Sequence, residues 1–301
     1  MRATHAIFLR ISDASKKEEK KKKLDIELLR KQQDEFRCTL AEAGVTVIEL
    51  PPVDGSSSSA TLPGDLVVVI RGIALMTRPK KEINVARMKQ IAQVLHDLTW
   101  HVIETPAAEK GKAVVLDGAD VLFTGREVFV GVRKGATNME GVMVLARTFP
   151  DFPVVPIYLH DKTHPLRHYI EMVSDSVIAV GSSKEAQAIL KKVEHEAAFK
   201  YARITIDEES AVSCLNVNDR LCFRADMQNA KYNVLQGSGI QLWALDVTEM
   251  AKIGAPFTRF CVLLDSNEGR GKYSTLPRSI TNGTTNGAAT HLNGLTVETR
   301  S

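Results

Sequence analysis

Apolar residues recur along this chain in two rhythms, an alternating one of short segments and a helical one, and their order repeats. Five segments, "VTVIELPP", "WHVIETPA", "PVVPIYLH", "YARITIDEE" and "IQLWALDV", each follow a helical pattern and read as a single strand running into a turn. Between them lie paired short strands. "LVVVI" and "IALMT" flank Arg71-Gly72, "VLFTG" precedes "EVFVGV", "HYIEMV" precedes "SVIAVG", and "VSCLNV" meets "RLCFRA" across a turn at Asn218-Asp219. The helical patterns are "NVARMKQIAQVL", "NMEGVMVLARTF", "SKEAQAILKKVEHE" and a weaker "NAKYNVLQ". The unit is strand, strand, helix, strand. It begins near residues 66, 120, 168 and 212, a period of roughly 45 to 55 residues of the kind that marks closed or stacked repeats.

A fifth unit forms if the chain's two ends meet. "FTRFCVLL" at 257–264 supplies its first strand, "THAIFLR" at 4–10 its second, a helix over 23–43 its third element and "VTVIEL" its last. Five units then close head to tail, which hides sheet edges by radial repetition and makes residues 1–265 one domain with its concave chemistry on the axis. A doubly wound parallel sheet needs only one strand per helix and leaves the paired strands unexplained. In "LDGADVLFTGREVFVGV", residues 116–132, Gly118 permits a turn and Asp117 is placed to bond its own backbone, while Asp120 could buttress a neighbouring group.

Composition narrows the function classes. The chain of 301 residues is 44% hydrophobic and 25% charged with a formal charge of +3, which concentrates no basic face for nucleic acid. Neither a secretory apolar run nor a spanning helix is present at the N-terminus, so no membrane role is expected. Cys38, Cys214, Cys222 and Cys261 form no C-x-x-C pair, which points to a reducing, cytoplasmic setting. Residues 16–23 read as solvated charge entering a helix. The Gly-, Asn-, Thr- and Ser-rich stretch 266–301 reads as a disordered tail and "SSSS" at 56–59 as a flexible loop.

The run at 116–132, together with "RATHAI", "TRP" at 77–79, "AVGSS" at 179–183 and "TEMAKIGAPFTRFCVLL", resembles the dimethylarginine dimethylaminohydrolase family over residues 2–265. The resemblance implies the guanidine-modifying superfamily's fold, a five-bladed α/β propeller. It also implies hydrolysis of methylated arginines to citrulline and a methylamine by a cysteine nucleophile, a histidine acid/base and carboxylates that grip the guanidinium, with no cofactor.

Carried over position by position, the family's machinery is not found. Arg259 stands where the nucleophile is expected, and a guanidinium neither attacks carbon nor gives up its proton at working pH. Cys261, two residues on, would point to the same side of a strand but sit about 6.5 Å away. Pro165 holds the acid/base position, with His164 before it. The acidic pair of the first blade is shortened to Asp65 alone, the acid before the last strand is Gly254, and the arginine for the substrate carboxylate falls at Gly135 or Ala136. His160, His164 and His168 are spaced for one helix face, but Pro165 interrupts such a helix, so no metal is expected.

The expected protein is therefore an inactive homologue whose pocket, with Arg71 and Arg259 as anion contacts, takes a small anionic ligand or a protein partner. Two alternatives stay open. One is a hydrolase rebuilt on Cys261, His164 and Asp65, and the other is an interaction module acting through residues 16–23 or the tail.

Overall fold

The computed structural model describes residues 2–10, 24–51, 62–80, 85–99, 101–226 and 231–265. The charged segment 16–23, the serine run 56–59 and the stretch 266–301 lie outside the described residues.

Five three-stranded sheets repeat one topology. In each, a middle strand pairs antiparallel with the preceding strand and parallel with the following one. Val67–Ile70, Ile73–Met76 and His101–Glu104 form the first blade. Val121–Phe123, Val128–Val132 and Val154–Tyr158 form the second, and Ile170–Ser174, Val177–Gly181 and Ala202–Ile206 the third. The fourth is Leu215–Val217, Arg220–Arg224 and Gln241–Leu245. The fifth joins Cys261–Asp265 to Ala3–Leu9 and Thr46–Leu50, so both ends of the folded region share one sheet, as the pattern of apolar residues predicts.

Turn chemistry and crossover length enforce this order. Tight antiparallel hairpins favour two residues with positive φ. Arg71 and Gly72 supply 48° and 76°, and Asn218 and Asp219 supply 48° and 64°. The parallel third strand needs a long crossover, and four blades use a helix for it: Ile26–Glu42, Val85–Leu98, Met139–Thr148 and Lys184–Glu196. Asp25, Asn138 and Ser183 cap three of these, each accepting a backbone N–H of the first turn. In the fourth blade, the weak helical pattern becomes a short 3-10 helix, Lys231–Leu235, with Tyr232 buried against the sheet.

Neighbouring blades are tied in sequence around the ring. Gly72 N donates to Asp265 Oδ1 at 3.0 Å, Arg78 bridges to Leu116, Tyr201 Oη donates to Glu127 Oε1 at 2.8 Å, and Asn216 Nδ2 donates to Val173 O at 2.5 Å. Asn218 closes the circuit: its Nδ2 donates to Ala3 O and to Ala43 O, both at 2.9 Å, and its Oδ1 accepts from Ala3 N. The architecture is thus a mixed α/β, propeller-like ring, with helices packed on the outer strands and the first strand of each blade turned inward.

One core detail positions the site. Phe36 of the first helix stacks edge-on against Phe8 at 5.8 Å and against Phe257 at 5.3 Å between ring centroids. Such pairs add about 0.5–1.5 kcal/mol each beyond burial. They pin residues 256–260, a turn and not the start of a strand, ahead of Cys261. This corrects the expectation that Arg259 and Cys261 share one strand. A run of turn residues lets the two side chains diverge, whereas a strand would have aligned them.

Candidate functional site

Two cavities open near the axis. One, of about 290 Å³, is lined by inner strands of all five blades and includes Cys261. The other, of about 270 Å³, holds His164, Pro165, His168, Gly254 and Arg259. The positions assigned from the family resemblance to the nucleophile, the acid/base and the last acid therefore do converge, although the residues there are arginine, proline and glycine.

The dominant interaction in this second cavity is an ion pair. Arg259 Nε donates to Asp65 Oδ1 at 2.7 Å and its Nη2 to Asp65 Oδ2, a two-pronged fork. Burial works against the Arg259 charge, but the carboxylate of Asp65 outweighs it and holds the guanidinium above its ordinary value. The pair forms because three backbones approach closely. Gly64 N donates to Arg259 O at 3.0 Å. A side chain on Gly64 would overlap Thr258 O, and one on Gly118 would overlap Gly64 O. Gly118→Ala is accordingly expected to destabilise the protein by about 1–3 kcal/mol, read as a lower urea midpoint, because its backbone neighbours cannot yield like a flexible side chain.

A second buried carboxylate adjoins the pair. Asp117 accepts from Ala119 N at 3.0 Å, the local bond expected of an acid beside this turn. Burial first, then the charges of Asp65 and Asp120, push its carboxyl up to about 7. Asp120 is fully buried and accepts from Thr137 Oγ1 at 2.7 Å and from Leu166 N at 3.1 Å, with Arg133 Nε at 3.5 Å. It buttresses the backbone beside Pro165, which is how the conspicuous run at 116–132 reaches the site.

The other residues singled out from sequence are dispersed. Arg71 is not at the cavity: it occupies the left-handed position of an exposed hairpin turn, with its guanidinium over the Phe152 ring at 5.2 Å from the centroid. Its expected partnership with Arg259 is corrected, since the turn geometry directs it outward. Cys261 lines the first cavity and not the second; its thiol is buried, donates to Phe257 O at 3.3 Å, and is pushed up by desolvation. Pro165 does not break a helix but opens one, capping the single turn Leu166–Tyr169. That turn stacks the His164 and His168 rings with centroids 4.1 Å apart. His168 Nε2 lies 3.4 Å from Glu209 Oε2, while His160 is exposed and does not line the cavity. Burial, then His164, lowers the His168 pKa against the opposing pull of Glu209. The rebuilt set of Cys261, His164 and Asp65 is not brought together in one cavity.

Sequence reasoning overlooked Arg167, Ser213 and Arg224, which also line the second cavity. Arg167 forks to Glu171 four residues on, and Arg224 to Asp226 two residues on. Those short spacings were the available signal.

The fold matches solved propellers of guanidine chemistry. A cysteine-to-serine variant of DDAH from Pseudomonas aeruginosa, complexed with citrulline, superposes with a TM-score of 0.71 at 17% identity, covering 88% of this chain and all of that one. Inosamine-phosphate amidinotransferase StrB1 from Streptomyces griseus gives a TM-score of 0.65 at 14% identity, covering 88% and 94%. These define the architecture. Sequence goes further: the chain is 31% identical over 232 residues to a human protein described as "Putative hydrolase DDAH2", covering 74% of this chain and 79% of that one. It is also 34% identical over 129 residues to N(G),N(G)-dimethylarginine dimethylaminohydrolase of Streptomyces coelicolor, over 43% and 47% of the two chains. The chain belongs to the dimethylarginine dimethylaminohydrolase family. No family model matches it.

Proposed function

We propose that this member of the family does not hydrolyse methylated arginine and that its second cavity is kept for binding. The observation that carries this reading is the Arg259–Asp65 fork. A substrate guanidinium entering the cavity requires a carboxylate free to pair with it, because an unpaired cation out of water costs several kcal/mol. Asp65 is already held, and by the side chain that stands at the nucleophile's position. Nor does the neighbourhood supply a substitute nucleophile: the Cys261 thiol is desolvated and opens on the other cavity, and a thiol reacts as its thiolate.

The experiment is incubation of the pure protein with asymmetric dimethylarginine and measurement of citrulline. No turnover is expected, for the protein as it stands or with Cys261→Ser. Citrulline formation abolished by Cys261→Ser would establish the rebuilt hydrolase instead.

A further inference from the structure

Three arginines line the second cavity, and each is held in the same way. Arg167, Arg224 and Arg259 commit Nε and Nη2 to one carboxylate, of Glu171, Asp226 and Asp65 respectively. Among the described residues, Nη1 of none of them makes a hydrogen bond. Nη1 of Arg259 lies directly against the α-carbon of Gly254, where any side chain would displace it. Oriented forks with one edge spare are a pre-organised donor set, since the carboxylates fix the guanidinium planes before a ligand arrives.

The wall chemistry sets the sign of the ligand. The three carboxylates that orient the arginines do not line the cavity, where Glu209 is the acid present. Glu209 is itself engaged, accepting from Ser183 Oγ and lying beside His168 Nε2. The lining therefore offers guanidinium edges and one occupied carboxylate, in a family whose cavity is expected to receive a cation.

We infer that the cavity is a receptor for a small oxyanion, a carboxylate or phosphate held by the free guanidinium edges of Arg167, Arg224 and Arg259. The volume of about 270 Å³ limits it to a small metabolite. This inference rests on the reading that the pocket is kept for binding, and it fails separately from it.

The test is calorimetric titration of the full chain with succinate, with inorganic phosphate and with asymmetric dimethylarginine, at fixed ionic strength. Saturable binding of succinate or phosphate is expected, with asymmetric dimethylarginine, whose own guanidinium is repelled by the same arginines, bound at least tenfold more weakly; the preferred oxyanion distinguishes carboxylate from phosphate recognition. Arg224→Gln and Arg224→Lys should each weaken it at least tenfold. Arg224→Lys keeps a cation beside Asp226 and removes the spare guanidinium edge, and an unchanged melting temperature for that variant separates lost binding from lost folding. No oxyanion binding, or binding indifferent to both variants, overturns the inference. Oxyanion binding together with citrulline production would overturn the inactive reading and leave this one standing, whereas neither binding nor turnover overturns this one alone.

Discussion

Asp65→Ala is expected to cost about 3–5 kcal/mol of stability, the loss that follows when one member of a buried ion pair is removed and the other is left without its counterion. Asp65 is 5% exposed, and the guanidinium it holds lies deep in the second cavity. Arg259→Ala should cost a comparable amount for the opposite reason: it leaves the buried carboxylate of Asp65 without its counterion. The diagnostic result is the double variant. With both groups gone, no charge is stranded, so Asp65→Ala/Arg259→Ala should lose clearly less than the sum of the single changes, giving a coupling of roughly 2 kcal/mol or more in urea unfolding. Arg259→Lys should recover only part of the loss, because an ammonium cannot fork to both carboxylate oxygens. Additive single effects would show that the pair is not what keeps these charges in the interior, and would remove the main support for the inactive reading.

This pair also shows where the sequence could be read and where it could not. The ring was legible because its evidence is local: alternating strands flank turns whose residues accept positive φ, and each helix follows at a fixed offset. Even the fifth blade, built from both ends of the folded region, could be inferred, since "FTRFCVLL" and "THAIFLR" together complete a unit with the helix and "VTVIEL" that follow. Of the site, the sequence offered the expectation that Arg259, Pro165 and Gly254 belong together, and the three do line one cavity. What those replacements do to one another was not. Asp65 and Arg259 stand 194 residues apart, and nothing in the spacing says that this carboxylate clasps this cation. Arg71 and Arg259 look equivalent as added charges, yet a left-handed turn sends Arg71 to the ring of Phe152. Cys261 was placed by strand arithmetic, which failed because the preceding residues form a turn.

The second large effect is one of pH, and its sign is opposite to that of a salt-bridged acid. The Asp117 carboxyl is pushed up to about 7 in the folded protein from its ordinary 3.8, chiefly because burial disfavours its charged form. Below about pH 4, both folded and unfolded chains carry the proton, and the group contributes nothing to pH dependence. As pH rises from there, the unfolded chain releases its proton while the folded chain keeps it, so stability falls until about pH 7, above which both are ionised and the loss is constant. That difference between the folded and unfolded carboxyl corresponds to roughly 4 kcal/mol. Asp117→Asn keeps an oxygen to accept from Ala119 N and removes the titration. The variant should match the parent near pH 4 and exceed it by up to about 4 kcal/mol at pH 7.5, with the gap opening across the interval between. Thermal unfolding of both proteins at half-unit steps of pH measures it. A gap that is constant with pH, or a variant less stable than the parent at pH 7.5, would mean that Asp117 stays ionised throughout. The cation of Arg259 would then be shared between Asp65 and Asp117, and Asp65→Ala would cost correspondingly less than the amount expected above.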